Sequence, residues 1–243
     1  GTSCVGTATT FTITVNPTAT VNTVANQVVC NGAPTTAVTF TSPATGGTIV
    51  YNWTNNTTSI GLAASGTGNI ASFTATNTTT APVTATITVT PTYSNGGTTC
   101  VGTATTFTIT VNPTATVTAV ANQVLCNSFA TAPVTFASPT TGGTVVYNWT
   151  NNAASIGLAS SGTGNIASFT ATNTTTAPVT ATITVTPTYS NGGTSCVGTP
   201  TTFTITVNPT ATVNTVSNQV VCNGANTTAV TFGSPTTGGT IVY

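Results

Sequence analysis

The 243 residues include no Lys, Arg, Asp, Glu, His or Met, and that absence excludes whole classes of chemistry. General acid–base catalysis needs a side chain that titrates near neutral pH, and here only Cys, Tyr and the chain ends titrate at all. A Ser or Cys nucleophile has no His, Lys or carboxylate beside it to activate it. Calcium and magnesium are held largely by carboxylates, and zinc by closely spaced thiolates or imidazoles. Nucleic-acid binding draws its affinity from Lys and Arg neutralising phosphates. We therefore expect no enzyme, no cofactor, no metal and no nucleic-acid partner. No apolar run approaches the roughly 18 residues of a membrane-spanning helix, so direct membrane insertion is not expected either.

What is present points to folded β-structure. Val, Ile, Phe, Tyr and Trp are plentiful and Thr dominates the polar positions, the set that suits a pleated, half-buried surface. Disordered chains are poor in these residues. Without net charge, only hydroxyls and amides keep such molecules apart. Either glycans cover the surface, or self-association into fibres is part of the function. The chain opens Gly1-Thr2-Ser3-Cys4 and stops at Tyr243, and we expect it to be a segment of a longer protein.

Internal repetition sets the architecture. Cys4, Cys100 and Cys196 recur every 96 residues, as do Cys30, Cys126 and Cys222. Segments 59–102 and 155–198 differ only at Ala64/Ser160 and Thr99/Ser195. A period of 96 residues is too long for a solenoid unit and close to the roughly 100 residues of an immunoglobulin-type sandwich. Asn-Pro-Thr at 16–18, 112–114 and 208–210 punctuates the array, because Pro ends sheet pairing and stiffens a short linker. The expected organisation is a last strand of a preceding repeat at 1–16, β-sandwich repeats at 17–112 and 113–208, and the first strands of a further repeat at 209–243.

Within a repeat, apolar and Thr residues alternate with period two. Phe107, Ile109 and Val111 point one way in 106–111, and Val83, Ala85, Ile87 and Val89 do so in 83–90. Ala37–Thr41 reads as a shorter strand, and Ile49, Tyr51 and Trp53 share a face. No segment has a helical period. The expected fold class is all-β: tandem antiparallel β-sandwich domains, with strands of about 7–9 residues. A two-residue turn at Asn95-Gly96 would pair residues whose numbers sum to an odd value, yet the inward residues of both flanking strands are odd-numbered. A one-residue slip would turn one strand inside out. The pattern therefore predicts a different loop length, or a β-bulge near Cys100-Val101-Gly102 where Gly adopts the bulge conformation.

Six cysteines without CxxC spacing indicate disulfides and an oxidising, secreted or cell-surface location. The leading pairing is Cys30–Cys100 and Cys126–Cys196, within repeats, with partners for Cys4 and Cys222 outside the segment. The alternatives are a bond between neighbouring repeats, such as Cys30–Cys196, and free buried thiols. Asn-x-Ser/Thr sequons stand at Asn52, Asn55, Asn56, Asn77, Asn148, Asn173 and Asn226. They are possible glycosylation sites, although a chain rich in Asn and Thr also makes them by chance. Tyr51 and Trp53 fit either core packing or an aromatic platform for sugar.

The motifs Gln27-Val28-Val29-Cys30-Asn31-Gly32, Tyr51-Asn52-Trp53-Thr54, Ser59-Ile60-Gly61-Leu62-Ala63, 85–91 and Phe107–Pro113 together resemble the PKD-like and Ig-like tandem repeats of large Bacteroidota cell-surface proteins. The resemblance covers essentially the whole chain. It implies export by the type 9 secretion route and a role as a surface filament or adhesin, in some members tied to gliding motility. The Gly-Asp-Gly turn usual after the aromatic strand of PKD domains is missing, which places this sequence in a divergent branch. The expected function is thus a structural or adhesive extracellular stalk. The alternative is a carbohydrate-binding array that grips surface polysaccharide through Tyr51 and Trp53.

Overall fold

The computed structural model describes residues 1–243, which divide into two compact units, 1–78 with 82–112 and 79–81 with 113–243. In the first, strands β1 (Gln27–Cys30), β2 (Thr48–Asn55), β3 (Ser65–Thr67), β4 (Val83–Asn95), β5 (Thr98–Val101) and β6 (Thr105–Asn112) form one sheet. Its order is β1-β6-β4-β2-β3, with β5 also paired to β4. The second unit repeats the arrangement with β7 (Gln123–Cys126), β8 (Thr144–Asn151), β9 (Ser161–Thr163), β10 (Val179–Asn191), β11 (Thr194–Val197) and β12 (Thr201–Asn208). Both units are all-β sandwiches. They are not wholly antiparallel: β1 runs parallel to β6, and β7 to β12.

The Thr/apolar alternation places one face of β4 and β6 in the core. Ala85, Ile87, Val89, Phe107, Ile109 and Val111 are buried and pack with Trp53, Val38, Phe40, Ile60, Leu62 and Ile70. Outward threonines pair across the strands, as in Thr84 with Thr110 at 2.9 Å.

The register conflict is resolved by a bulge. Thr92↔Val101 and Asn95↔Thr98 are partners around a Gly96-Gly97 turn, and both glycines have positive φ (57° and 76°), as a tight hairpin turn requires. Beyond the hairpin, Val89 pairs with Thr105 and Val83 with Val111. Three residues, 102–104, therefore oppose two, 90–91, which restores the inward parity. Gly102 does not serve through an unusual φ. A Cβ there would lie 2.1 Å from the Ala19 carbonyl oxygen and 2.8 Å from Pro91 Cγ. Pro91 sits opposite the bulge, where a residue lacking N–H is tolerated. β4 consequently runs through it for 13 residues, longer than the sequence pattern suggests.

The segment 37–41, expected as a strand, makes only the isolated bridge Val38↔Ile70. Inward parity changes along both partners, from Thr35 to Val38 and from Ile70 to Ala75, so no continuous ladder forms. The facing layer of the sandwich is built from such extended segments. Residues 9–16 repeat the sequence of β6 yet form no strand, and neither does 209–243. The β6 sequence pairs because β4 lies beside it; its copy at 9–16 has no such neighbour in this chain.

Candidate functional site

The cysteines stand at opposite ends of each sheet. Cys30 ends β1 beside Asn112, the last residue of β6. Cys100 lies in the hairpin beside Tyr93. Since Val111 pairs with Val83, ten residues of β4 separate the two ends, about 33 Å at roughly 3.3 Å per residue. A disulfide needs Cα atoms within about 7 Å. The expected bonds Cys30–Cys100 and Cys126–Cys196 are therefore not formed. Cys30 and Cys196 are disulfide-bonded, whereas Cys4, Cys100, Cys126 and Cys222 carry free thiols.

The sequons fall into two groups. Asn52, Asn56, Asn148 and Asn226 are exposed. Asn52 Oδ1 accepts from Thr67 Oγ1 at 3.3 Å, Asn148 Oδ1 from Thr163 Oγ1 at 3.1 Å, and Asn56 Oδ1 from Thr86 N at 2.8 Å. Asn55, Asn77 and Asn173 are buried, and each commits Nδ2, the atom that would carry sugar, to backbone carbonyls. Asn55 donates to Leu62 O at 3.0 Å, Asn77 to Val111 O at 2.8 Å and Asn173 to Val207 O at 2.7 Å. Asn151 occupies the place of Asn55 one period later and makes the same bond, to Leu158 O at 3.1 Å. It lacks a sequon, since Ala153 replaces the Thr. The buried amides thus belong to the fold, and a glycan on any of the three would break those bonds.

Trp53 is 7 % exposed and lies in the core. Gly66 admits it, because a Cβ there would stand 2.1 Å from Trp53 Cζ2. Tyr51 is half-buried against Phe40, with ring centroids 5.6 Å apart. Burial raises the Tyr51 phenol above its ordinary range, and the same holds for Tyr147 and Tyr189. The two aromatics therefore do not form an exposed platform.

Sequence reasoning missed a set of amide clamps. Gln27 Nε2 donates to Thr36 O and its Oε1 accepts from Thr36 N, both at 2.9 Å, imitating a strand rung. The clamp recurs as Gln123 with Ala132 and Gln219 with Thr228. Its signal was present: Gln27, Gln123 and Gln219 recur at the array's own spacing. Within the second unit, two loop bonds also repeat. Thr141 N donates to Thr80 O, and Thr237 N to Thr176 O, each at 2.8 Å.

No protein-family model matches the sequence, and no curated protein matches it either. Among solved structures, the chain is similar to human protocadherin-24 EC1-2, at 14% identity over 81% of this chain and 99% of that one, with a TM-score of 0.41. It is also similar to mouse cadherin-23 EC22-24, at 12% identity over 77% of this chain, with a TM-score of 0.39, and spans 63% of that fragment. The N-terminal four Ig domains of Dscam1 isoform 4.4 match at 9% identity over 81% of this chain and 47% of theirs, with a TM-score of 0.31.

Proposed function

We propose that this chain is a stretch of an extracellular stalk whose repeats act as spacers in a structural or adhesive surface protein. The observation that carries the reading is where the backbone enters and leaves each sandwich. In the first repeat, Ala19 O accepts from Thr103 N at 3.1 Å at the hairpin end of the sheet, and the chain leaves at Asn112, at the other end. In the second, Ala115 O accepts from Thr199 N at 2.9 Å, and the exit is Asn208. Domains threaded from end to end pass the chain onward, with no need for a long return connection. The half-cystines Cys30 and Cys196 fit an oxidising, extracellular location.

The uncharged surface supports self-association as the second part of this reading. Edge strands usually carry Lys, Glu or Pro to block pairing with other chains, and neither charge exists here. The polysaccharide-binding reading loses its leading aromatic, since Trp53 is a core residue. Small-angle scattering on chains of two, three and four repeats tests the stalk. The maximum dimension is expected to grow by a constant increment of about 40 Å per repeat, the length of a 13-residue strand at about 3.3 Å per residue. Repeats that fold back into a globule of nearly constant dimension overturn it.

A further inference from the structure

Asparagine followed by glycine is the pair that loses its side-chain amide most readily, because glycine has no side chain to keep its nitrogen away from the asparagine Cγ. The sequence holds four such pairs, at Asn31, Asn95, Asn191 and Asn223. The fold treats Asn31 and the two hairpin asparagines in opposite ways. Asn31 is fixed on three sides. Its backbone N donates to Asn112 O at 2.9 Å, its Oδ1 accepts from Asn77 N at 2.8 Å, and Gly32 N donates to Ala75 O at 2.8 Å. The nitrogen that would attack is committed to a carbonyl, and the amide it would attack is held in place. Asn95 ends β4 at the tip of the β4–β5 hairpin, and Asn191 ends β10 at the same place in the second unit. Gly96 N and Gly192 N donate to no acceptor in the fold. The turn residues Gly96, Gly97, Gly192 and Gly193 are exposed, and a Cβ at Gly96, Gly97 or Gly193 would meet no atom within 4 Å. Asn95 Nδ2 donates to Asn16 Oδ1 at 3.1 Å. That bond runs through the nitrogen that departs and leaves Gly96 N uncommitted.

We propose that the β4–β5 and β10–β11 hairpins are deamidation sites, at Asn95 and Asn191, through which an uncharged chain acquires a carboxylate on each sheet, while the fold keeps Asn31 as an amide. Gly96 N gives up its proton and attacks Asn95 Cγ. The new N–Cγ bond closes a succinimide ring, the Cγ–Nδ2 bond breaks, and the amide nitrogen leaves as ammonia with that proton. Water then opens the ring at either carbonyl, giving aspartate or isoaspartate. One amide and one water thus become one acid and one ammonia, with no change of oxidation state. Gly192 N and Asn191 react in the same way. Aspartate keeps the backbone path of the hairpin, and isoaspartate lengthens it by a methylene beside Thr98, the partner of Asn95. In a chain without Asp or Glu, the product is the first carboxylate side chain. Like charges on neighbouring copies repel, and added acidic groups favour solubility, so conversion is expected to weaken association between copies. That consequence rests on the self-association reading; the hairpin chemistry does not.

The test compares sites within one molecule. The folded 243-residue chain is incubated in mildly alkaline buffer, sampled over time, reduced, alkylated and digested briefly with chymotrypsin at lower pH. Cleavage after the aromatic residues places Asn95 in the peptide 94–107, Asn191 in 190–203 and Asn31 in 12–40. Conversion is read as the mass gained when an amide becomes an acid, and fragmentation locates it. Asn95 and Asn191 are expected to convert at least about tenfold faster than Asn31, whose reaction waits on local opening of the fold. In denaturant the advantage should disappear. Equal rates in the folded chain, or hairpin amides that outlast Asn31, overturn the proposal. A difference that persists in denaturant overturns the role given to the fold. The double variant Asn95→Asp, Asn191→Asp then reads the consequence by sedimentation at low ionic strength, where it is expected to associate less than the unsubstituted chain. Equal association of the two overturns the charge effect. An unsubstituted chain that stays monomeric at every concentration overturns the self-association reading alone, since the peptide masses decide the hairpin chemistry.

Discussion

The two layers of each sandwich have nearly the same composition and are held together differently. In the sheet, β4 and β6 run as a continuous backbone ladder from Val83↔Val111 to Val89↔Thr105. In the facing layer, the backbone pairing of 34–41 with 69–77 is reduced to the isolated bridges Pro34↔Thr74 and Val38↔Ile70. There, amide side chains take the missing rungs. Asn69 Oδ1 accepts from Phe40 N at 2.9 Å, Gln27 clamps Thr36, and Asn31 Oδ1 accepts from Asn77 N at 2.8 Å. A strict two-residue alternation makes a ladder only when both partners keep it. Where parity slips, Asn and Gln carry both a donor and an acceptor and can stand in for a peptide group.

The comparison breaks most sharply at the seam between β2 and β3, where the sheet holds Trp53 against Gly66. Gly66→Ala puts a methyl group 2.1 Å from the Trp53 ring, so a buried indole must move or β3 must leave the sheet. The expected loss is about 3 kcal/mol, the upper part of the usual range for overpacking. Each unit contains a single Trp, Trp53 or Trp149. Denaturant unfolding followed by Trp fluorescence is expected to split into two transitions, the earlier one belonging to the first unit.

The facing layer is tested by its amides. Asn77→Ala removes the donor to Val111 O and leaves a buried carbonyl without that partner, an expected loss of about 1–3 kcal/mol. Asn52→Ala, on the exposed side of β2, is expected to change stability by less than about 0.5 kcal/mol. Equal effects for the two in the same unfolding assay would mean that the amide rungs do not hold the layer.

Much of this was legible in the sequence. The alternation located β4 and β6 and their inward residues, and the odd–even conflict required the bulge found at 102–104. The facing layer was less legible, because the switch from Thr35 to Val38 is set by its partner's switch from Ile70 to Ala75, a tertiary match that no single segment records. The cysteine pairing misled for a related reason. Spacing along the chain does not reveal that 13 residues of β4 hold Cys30 and Cys100 at opposite ends of a sheet. Among the sequons, Asn77 and Asn173 read the same as Asn52 and Asn148, and only burial separates them.

High pH gives the mildest test, and it acts where the two layers meet. Tyr51 and Tyr147 face the opposite layer through Phe40 and Phe136, at 5.6 Å between ring centroids. Burial raises both phenols, and that of Tyr189, above their ordinary range. A folded-state pKa above the unfolded value means that the fold favours the neutral phenol. Its contribution is complete below the unfolded value of about 10 and is lost as pH rises through the folded one. With no Asp, Glu or His side chain in the sequence, no comparable loss is expected in acid. With thiols blocked, the thermal midpoint should stay level from about pH 3 to about pH 9 and fall above about pH 10. Replacing Tyr51 and Tyr147 with Phe is expected to move that fall to higher pH. A midpoint that drops equally in the unsubstituted and doubly substituted chains would place the alkaline sensitivity away from the contact between the layers.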